Sequence, residues 1–453
     1  MLQYYKDNLQ LYILFLVWIL IGGFGGPVIL AVIPMVMLLL RNKGMYEELL
    51  IGYLFILVLS DSKEPIFEFA KNAKNIYISI LALFLLVDSV EFRPFSQLYR
   101  IFVPFFIIAV ITMSTSVNDS FFFTSFQKTL SFILSFIVIP NLVNRIYREK
   151  GKQFLRRFAF FIFSVLLLGF LMEYVSPDSA FLLGTRFRGI FGGPNGLGVY
   201  CVLIFIVFFV LNDFFPNLFS RNERIIIFGA ILFSIYLTGS RNAIISVVIF
   251  YVFQRFFSLS PFLGFIIFIL TIFITELIST NATTIIVSLG LGEYLRTNTL
   301  EEGSGRYIAW NFAWKQIQNN FFIGKGFAYD EFYMRQHYGM LLKLNHQGGI
   351  HNSFLTFWMD HGLIGLLVYL RSYILMFIKG SKKTKFAFPI MFAISFSAFF
   401  ESWLVASLSA FAFLGMFIFT LITSEEILPE TVVKPVEEAG AAPETETVIP
   451  AIN

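Results

Sequence analysis

Long apolar segments recur along nearly the whole chain, and they restrict its possible folds more than any other feature. About fourteen apolar runs of roughly 17–25 residues occur, and a run of that length crosses the hydrocarbon core of a bilayer as one α-helix. Because lipid offers the backbone no hydrogen bonds, helices are expected rather than open sheets. The sequence therefore predicts an all-α polytopic membrane protein with about 12–14 transmembrane helices. The predicted spans are 4–21, 23–40, 45–60, 76–92, 101–117, 121–142, 158–175, 194–214, 224–240, 242–258, 261–279, 354–376, 386–402 and 404–423.

The composition supports this class. Of the 453 residues, 57% are hydrophobic and 14% are charged, whereas soluble domains have about 45–50% apolar and 25% charged residues. The net charge of +4 is small, so no nucleic-acid partner is expected. The single cysteine, Cys201, lies in an apolar run, and no disulfide framework is predicted. The first 40 residues lack a small-residue cleavage site and are interpreted as a membrane anchor.

A glycine-rich break interrupts the first long apolar stretch. Residues 22–27 read Gly-Gly-Phe-Gly-Gly-Pro. Such a segment either turns a tight hairpin between two spans or breaks one long tilted helix. The sequence leaves both interpretations open.

Basic residues in short loops indicate how the chain is oriented. The clusters at 145–157 and 379–385 are the densest and should be cytoplasmic. Counting spans from them places the segment 176–193, the turn at Arg241 and the long polar loop 280–350 on the outer face. Both chain ends then fall inside. One local conflict with the rule is that three lysines would lie on the outer face, namely Lys63, Lys71 and Lys74. Three acidic residues nearby offset their charge, namely Asp61, Glu64 and Glu68.

Composition divides the chain into predicted regions. Residues 304–322 of the long loop are predicted to form a helix capped by Ser304, with Trp310 and Trp314 on one stripe. This stripe is interpreted as lying along the membrane surface or as packing onto the bundle, and both can hold together. The tail, rich in Glu, Pro, Thr and Ala, is predicted to be disordered and cytoplasmic. The regions are N-terminal transmembrane helices (1–120), central transmembrane helices (121–279) with the outer loop 176–193, a large extracytoplasmic loop with short helices (280–350), C-terminal transmembrane helices (351–423) and the tail (424–453).

An arginine pair precedes one of the outward-starting spans. Arg186 and Arg188 lie in a glycine-rich segment that ends in Pro194 and Asn195, two residues that can begin a helix. A guanidinium offers a fork of donors to oxyanions, so this pair is a candidate phosphate clamp. The alternative is interfacial anchoring by arginines that snorkel towards water.

Two further arginines are expected on the same face. Arg241 lies between two apolar spans, where a charge is costly without an anionic partner. That partner could be Glu173, Glu276 or a ligand phosphate. Arg306 lies at the start of the predicted loop helix, whose N-terminus adds partial positive charge.

All four histidines, His337, His346, His351 and His361, lie in the long loop or just after it. His351 and the adjacent Asn352 mark the point where the chain re-enters the membrane. A histidine there can accept a proton from a sugar hydroxyl or orient it. Its alternative role is that of a helix-start residue, and the other three are expected to be ordinary loop or helix residues.

Metal-ligand motifs are absent from the sequence. No Asp-x-Asp occurs in a loop near the membrane, and no His-x-x-x-His occurs. We therefore expect no metal and no cofactor. Arginines would instead neutralise a pyrophosphate leaving group by fixed charge.

Several short pieces occur in a characteristic order between roughly 120 and 420. They are Arg186-x-x-Gly189 with Pro194-Asn195, Thr238-Gly239-Ser240-Arg241, Ser304-Gly305-Arg306 followed by Trp310, Gly324-Lys325-Gly326, His351-Asn352-Ser353 before Gly362-Leu363-Ile364-Gly365, and Glu401-Ser402. Together they resemble the bacterial O-antigen ligase and O-antigen/exopolysaccharide polymerase superfamily.

The resemblance implies a metal-independent glycosyltransferase of the membrane-embedded C type. It would work at the outer, periplasmic face of the bacterial inner membrane, with a glycan on undecaprenyl pyrophosphate as donor. The residues carried over by position are the pyrophosphate ligands Arg186, Arg188, Arg241 and Arg306, the catalytic His351, and the supporting residues Asn195, Asn352 and Glu401.

The function predicted first is a polymerase that joins lipid-linked repeat units, with a glycan acceptor and with a chain-length regulator and a flippase as partners. The closest alternative is a ligase that passes the glycan to lipid A core or to protein. A transporter of the same lipid-linked glycan would need ionisable groups along several spans. Such groups would have to lie at the midplane of the bilayer, where most predicted spans are interpreted as apolar and Lys128 is the main exception.

Overall fold

Helices account for nearly all of the described chain. Within it, strands are limited to β1 (Phe181–Leu182) and β2 (Arg186–Phe187), which pair antiparallel. Seven helical runs in the same part of the chain are long and apolar enough to cross a bilayer. The prediction of an all-α polytopic membrane protein is confirmed. The computed structural model describes residues 2–88, 96–182, 184–260, 262–264, 266–267, 270, 306–344, 346 and 348–429.

The helices are numbered in chain order. Two short 3₁₀ turns, Gly26–Val28 and Pro65–Phe67, precede α3 and α5. The helices are α1 (Leu2–Asp7), α2 (Leu9–Gly25), α3 (Ile29–Asn42), α4 (Tyr46–Asp61), α5 (Phe69–Val87), α6 (Gln97–Ser114), α7 (Phe122–Lys150), α8 (Lys152–Val175), α9 (Pro177–Ala180), α10 (Pro194–Phe214), α11 (Arg221–Thr238), α12 (Arg241–Leu259), α13 (Arg306–Asn319), α14 (Tyr329–Gln336), α15 (Tyr338–Lys343), α16 (Ser353–Gly380), α17 (Ala387–Phe400) and α18 (Ala410–Thr423).

Side-chain caps fix where several of these helices begin. Ser220 and Glu223 form a capping box at the start of α11. Ser240 caps α12, and Ser409 caps α18. The first N–H groups of a helix lack intrahelical partners, so each cap stabilises its helix by about 1 kcal/mol.

α2 runs antiparallel to α5. Trp18 of α2 packs edge-on against Tyr77 of α5, with ring centroids 6.2 Å apart. One turn further along α2, Gly22 lies against the ring of Phe69, the first residue of α5. The end of α2 therefore lies at the beginning of α5.

α3 returns in the opposite direction. At its end, Arg41 donates from Nε to the carboxylate of Asp88, the residue that follows α5, at 3.2 Å. The chain reverses at Gly26, whose φ of 55° and ψ of −124° lie outside the helical region. Of the two interpretations of the glycine-rich break, the structure therefore shows the hairpin.

The two predicted basic clusters lie at one end of the bundle. Arg148 and Lys379 line the same cavity, which includes Thr423 at the end of α18. Arg148 also pairs with Glu426 at 2.8 Å. The connection 401–409 lies at the other end, because it precedes the start of α18. This arrangement is the one expected if both clusters lie on one side of a membrane.

A break in α16 receives the Gly-Lys-Gly segment of the loop. Gly362 has a φ of 71° and a ψ of 179°, so helical hydrogen bonding stops there. The backbone N–H of Gly326 donates to the Asp360 carbonyl at 2.7 Å. A Cβ on Gly324 would overlap that same carbonyl, and a Cβ on Gly362 would overlap the Phe322 carbonyl. These glycines let the loop backbone dock directly on α16.

Several predicted boundaries need correction. The predicted span 404–423 begins late, as α18 at Ala410, because 401–409 form a polar connection in which Ser407 bonds to Ser131 at 2.7 Å. The helix predicted as the span 76–92 begins earlier, at Phe69. Its first turns carry lysines, so the apolar run by itself did not include them. The predicted loop helix 304–322 is α13. Three predictions lie wholly or mostly outside the described residues: the span 261–279, the cap Ser304 and the tail from 430.

Candidate active site

Glu401 joins parts of the chain that are far apart in the sequence. It follows α17 directly. Its Oε1 accepts hydrogen bonds from Nδ2 of Asn195 and from Nη2 of Arg306, each at 2.9 Å. Its Oε2 accepts from Nδ1 of His351 at 3.1 Å. These four residues are called the Glu401 cluster below, and the carboxylate that was predicted only as a supporting residue lies at its centre.

The charge of Glu401 is balanced by its neighbours. Its side chain is only 14% exposed. Burial by itself raises the pKa of the carboxyl, but the hydrogen bond from His351 and the charges of His351 and Arg306 outweigh burial and hold the pKa below its usual value. Glu401 is therefore an anion at neutral pH, and it acts as the acceptor in all three contacts.

The backbone around His351 is fixed from the end of α17. The side chain of Asn352 caps α16 by accepting from two first-turn N–H groups, each at 3.0 Å. The Asn352 N–H donates to Ser402 at 3.0 Å, and the Ser353 hydroxyl donates to the Glu401 carbonyl at 2.8 Å. Between these ties His351 adopts a φ of 52°, which is rare outside glycine. Asn352 is thus a helix cap, and Ser353 and Ser402 are positioning residues that the sequence interpretation missed.

α13 packs onto the bundle beside the cluster. Trp310 donates from Nε1 to the carbonyl of Ile350 at 3.0 Å, directly before His351. Its ring lies edge-on to Phe399, with centroids 5.4 Å apart. Arg306 lies over the ring of Phe400 at 5.6 Å. The aromatic stripe of the loop helix therefore holds the arginine and the histidine in place.

Arg186 reaches the cluster through Asn195. Its Nη2 donates to Oδ1 of Asn195 at 2.9 Å, and its Nε donates to the carbonyl of Thr238 at 2.8 Å. Asn195 thus bridges Arg186 and Glu401 with the two ends of one amide. The carbonyl of Thr238 is available because α11 ends there, with Gly239 in the left-handed conformation at φ 55°.

Arg241 and Arg188 differ in their placement. Arg241 begins α12, directly after the turn whose carbonyl accepts from Arg186, and its side chain is half-buried. Arg188 donates from Nε to the carbonyl of Ser179 at 2.7 Å and lies 3.9 Å from Glu64. The structure thus brings Arg186 to the Glu401 cluster, places Arg241 at the helix start that follows the Thr238 turn, and directs Arg188 elsewhere.

The arrangement suits proton transfer. Since ionised Glu401 can only accept, Nδ1 of His351 carries the proton in their contact, and Nε2 is left as the basic nitrogen. The His351 side chain is 37% exposed, so part of the imidazole faces solvent. A Cβ on Gly348 would lie 2.9 Å from Nε2, and glycine keeps that approach open.

The remaining histidines have local contacts. His337 bonds from Nδ1 to the carbonyl of Tyr333 at 3.0 Å. His346 bonds from Nε2 to the carbonyl of Gly349 at 3.2 Å, and burial lowers its pKa. His361 is fully buried in α16 and bonds to Thr112 at 2.8 Å. All three hold local structure.

A second set of charged residues lies near the cluster and was missed. Lys128 of α7 pairs with Glu331 of α14. The N–H of Asp330 donates to Oδ1 of the fully buried Asp360 at 2.9 Å. The one indication of these residues in the sequence was the position of Lys128 within an apolar run. In the part of the chain that the structure describes, no group of three or more His, Cys, Asp or Glu is placed to hold a metal ion.

Comparison with known proteins agrees with the resemblance seen in the sequence. Residues 226–370 match the model of a family described as O-antigen ligase. The matched segment contains Arg241, Arg306 and His351, whereas Asn195 and Glu401 lie outside it. A search of curated proteins found no match.

Proposed function

The chain belongs to the O-antigen ligase/polymerase superfamily, and from this premise we propose that it is a polymerase that joins lipid-linked oligosaccharide repeat units. The donor is a glycan on undecaprenyl pyrophosphate, and the reaction takes place at the outer face of the bacterial inner membrane. The observation that carries the proposal is the contact of His351 with Glu401 at 3.1 Å, on a carboxylate that also binds Arg306 at 2.9 Å. The position of the basic clusters at the opposite end of the bundle supports the orientation.

His351 acts as the general base. Its Nε2 accepts the proton of an acceptor sugar hydroxyl as that oxygen attacks the anomeric carbon of the donor. The bond from the anomeric carbon to the pyrophosphate oxygen breaks, and undecaprenyl pyrophosphate leaves with the electron pair. Glu401 keeps the proton on Nδ1 and stabilises the imidazolium that forms. The proton on Nε2 then passes to water or to the departing pyrophosphate.

Arginines stabilise the leaving group. Arg306 commits one Nη to Glu401, and a guanidinium has five N–H donors. Arg186 is held by Asn195 and Thr238, and Arg241 starts the helix next to it. These fixed charges balance the negative charge that develops on the pyrophosphate as the bond breaks.

The test replaces His351 in the purified full-length chain. With defined lipid-linked repeat units, His351→Ala should lower the rate of glycan transfer by at least about a hundredfold, because general base catalysis contributes about that much or more. His337→Ala is the matched control, a loop histidine held by Tyr333, and it should transfer at the wild-type rate. Normal polymer from the His351 variant would remove this residue from the mechanism.

A ligase is the second candidate, because the matched family is described as O-antigen ligase. It would use the same residues and differ only in its acceptor. The same assay separates the two when it offers repeat units and a lipid A core acceptor together. A ladder of repeats supports the polymerase, and transfer to the second acceptor alone supports the ligase. In cells, a deletion strain would accumulate single repeats in the first case and carrier-bound polymer in the second.

A further inference from the structure

A cavity of about 340 Å³, with both polar and apolar lining, lies beside the Glu401 cluster. Its walls are formed by α5, α7, α14, the start of α16 and the connection 401–409. Its walls carry hydroxyl, amide and charged side chains, among them Lys74, Asn75, Gln127 and Ser402. None of the functional residues named in the sequence interpretation lines it.

The connection 401–409 separates this cavity from the arginines. The side chain of Glu401 contacts Arg306, whereas the next residue, Ser402, lines the cavity. The Ser402 hydroxyl also accepts from the N–H of Asn352 at 3.0 Å, directly after His351. Ser402, which lines the cavity, is therefore next to Glu401 in sequence and hydrogen-bonded to the residue next to His351.

The lining is suited to carbohydrate. Beside its apolar surface, the cavity presents serine and threonine hydroxyls and the amides of Asn75 and Gln127, the kind of polar groups that orient a ligand in a pocket. Amides and hydroxyls both donate and accept hydrogen bonds, as the hydroxyls of a sugar do. A glycan is also what the proposed reaction must hold as acceptor.

Lys74 adds a charge preference. Its Nζ donates to the carbonyl of Leu408 at 3.1 Å. Within the described part of the chain, no carboxylate oxygen lies within 4.0 Å of this nitrogen, and Asp61 and Glu331 act on it only from a greater distance. Asp330 and Glu331 also line the cavity, so Lys74 is the group there that can meet a ligand carboxylate. The other lysine of the cavity, Lys128, is paired with Glu331. An ammonium group has three donors, and a half-buried one that lacks a close anion favours an anionic ligand.

We infer that this cavity binds an acceptor sugar that carries a carboxylate, such as a hexuronate, with Lys74 contacting the carboxylate. The inference rests on the proposed function, since it names the acceptor class of the same site. Neutral sugars would enter the cavity with hydroxyl contacts alone.

The first experiment measures binding, so that it does not depend on catalysis. Saturation-transfer NMR on the detergent-purified full chain compares D-glucuronate with D-glucose, which differ in one carboxylate. Wild type should bind glucuronate more tightly than glucose. Lys74→Gln should lower the affinity for glucuronate about tenfold and leave the affinity for glucose unchanged. Lys71→Gln, at an exposed position one turn earlier on α5, is the matched control and should bind as wild type does. Equal wild-type affinity for both sugars, or unchanged glucuronate binding in Lys74→Gln, would overturn the inference.

Lys74→Arg separates charge from packing. It keeps the positive charge and should retain glucuronate binding within about threefold of wild type. Equal losses in Lys74→Arg and Lys74→Gln would mean that the site depends on packing rather than charge, which would also overturn the inference. His351→Ala should bind glucuronate normally while transfer is lost, so a failure of the proposed chemistry remains distinguishable from a failure of this site.

The second experiment measures transfer to an acceptor glycan that ends in glucuronate and to its carboxyl-reduced counterpart. In Lys74→Gln the KM for the acidic acceptor should rise about tenfold with little change in kcat, and the reduced acceptor should show the wild-type KM. Equal KM changes for both acceptors would contradict a contact with the carboxylate.

Discussion

Replacing Glu401 by glutamine tests the centre of the site with the smallest change in shape. The carboxylate accepts from Asn195, Arg306 and His351, and the amide that replaces it has one oxygen and one NH₂. If the amide oxygen stays with Asn195 and Arg306, the NH₂ faces Nδ1 of His351. Two donors cannot face each other, so the imidazole must move its proton to Nε2. In that tautomer Nε2 is a donor and can no longer accept a proton from a hydroxyl.

The expected loss of activity is large, because in the other tautomer Nε2 cannot accept a proton even though the imidazole stays in place. Where a carboxylate orients a catalytic histidine, exchange for the amide lowers kcat by about 10⁴, and removal of a general base generally costs about 10²–10⁴. We therefore expect Glu401→Gln to lower kcat by at least about a hundredfold. The chain should also lose about 1.5–3 kcal/mol of stability, the contribution of one hydrogen bond to a charged group. The buried side chain, 14% exposed, makes water a poor replacement.

The assay follows glycan transfer at saturating and limiting donor, with thermal unfolding measured in parallel. Glu401 acts through His351, so kcat should fall while the KM for the donor changes by less than about tenfold. Glu401→Asp keeps the charge and should retain more activity than the glutamine variant. Glu68→Gln, an exposed carboxylate at the same end of the bundle, is the control and should behave as wild type. A folded Glu401→Gln variant with wild-type kcat would refute the orientation of His351 by this carboxylate.

Three other predictions follow from the same contacts. Arg241→Lys should lower kcat/KM at least about tenfold, because a point charge does not reproduce a planar fork, and wild-type activity would indicate a simple anchor. EDTA should leave transfer by the purified chain unchanged, and a strict requirement for magnesium would contradict neutralisation by arginines. The pKa of Glu401 is held below its usual value, so its contribution to stability is complete above about pH 5 and disappears as the pH falls through the lowered pKa. The stability difference between wild type and Glu401→Gln should accordingly shrink below about pH 4.5 in unfolding scans.

Features set by short stretches of sequence were predicted well. Apolar runs of bilayer length gave the helices, and charge in short loops placed two basic clusters at one end. The glycine-rich break at 22–27 indicated a turn, but whether the chain reversed depended on contacts of α2 and α3 with α5. The helix near 304–322 followed from its periodicity. The contact of Trp310 with Phe399 shows that its aromatic stripe packs onto the bundle, which was one of two compatible interpretations.

The site was predictable in its residues and much less in its connections. Arg186, Arg306 and His351 stand out because charged or titratable groups are rare in such a chain. Glu401 was predicted only as a supporting residue, on the basis of the resemblance, and nothing local shows that it accepts from residues as distant in sequence as Asn195. Lys74 was counted only as an exception to the charge rule. Among the residues that the structure describes, no carboxylate lies close to it, and this property of the packed helices is not encoded in any sequence pattern.

The span of the family match shows why the centre of the site escaped local patterns. Residues 226–370 supply Arg306 and His351, but the groups that fix them, Asn195 and Glu401, belong to α10 and to the connection after α17. Without those elements Arg306 would be a mostly buried cation without its carboxylate, which is costly, and His351 would have no fixed tautomer. In the proposed mechanism, the matched segment therefore supplies arginines for the pyrophosphate and the base itself, but it lacks the carboxylate that orients this base. Changes at 195 and 401, outside the recognisable domain, should therefore affect transfer more than most changes within it.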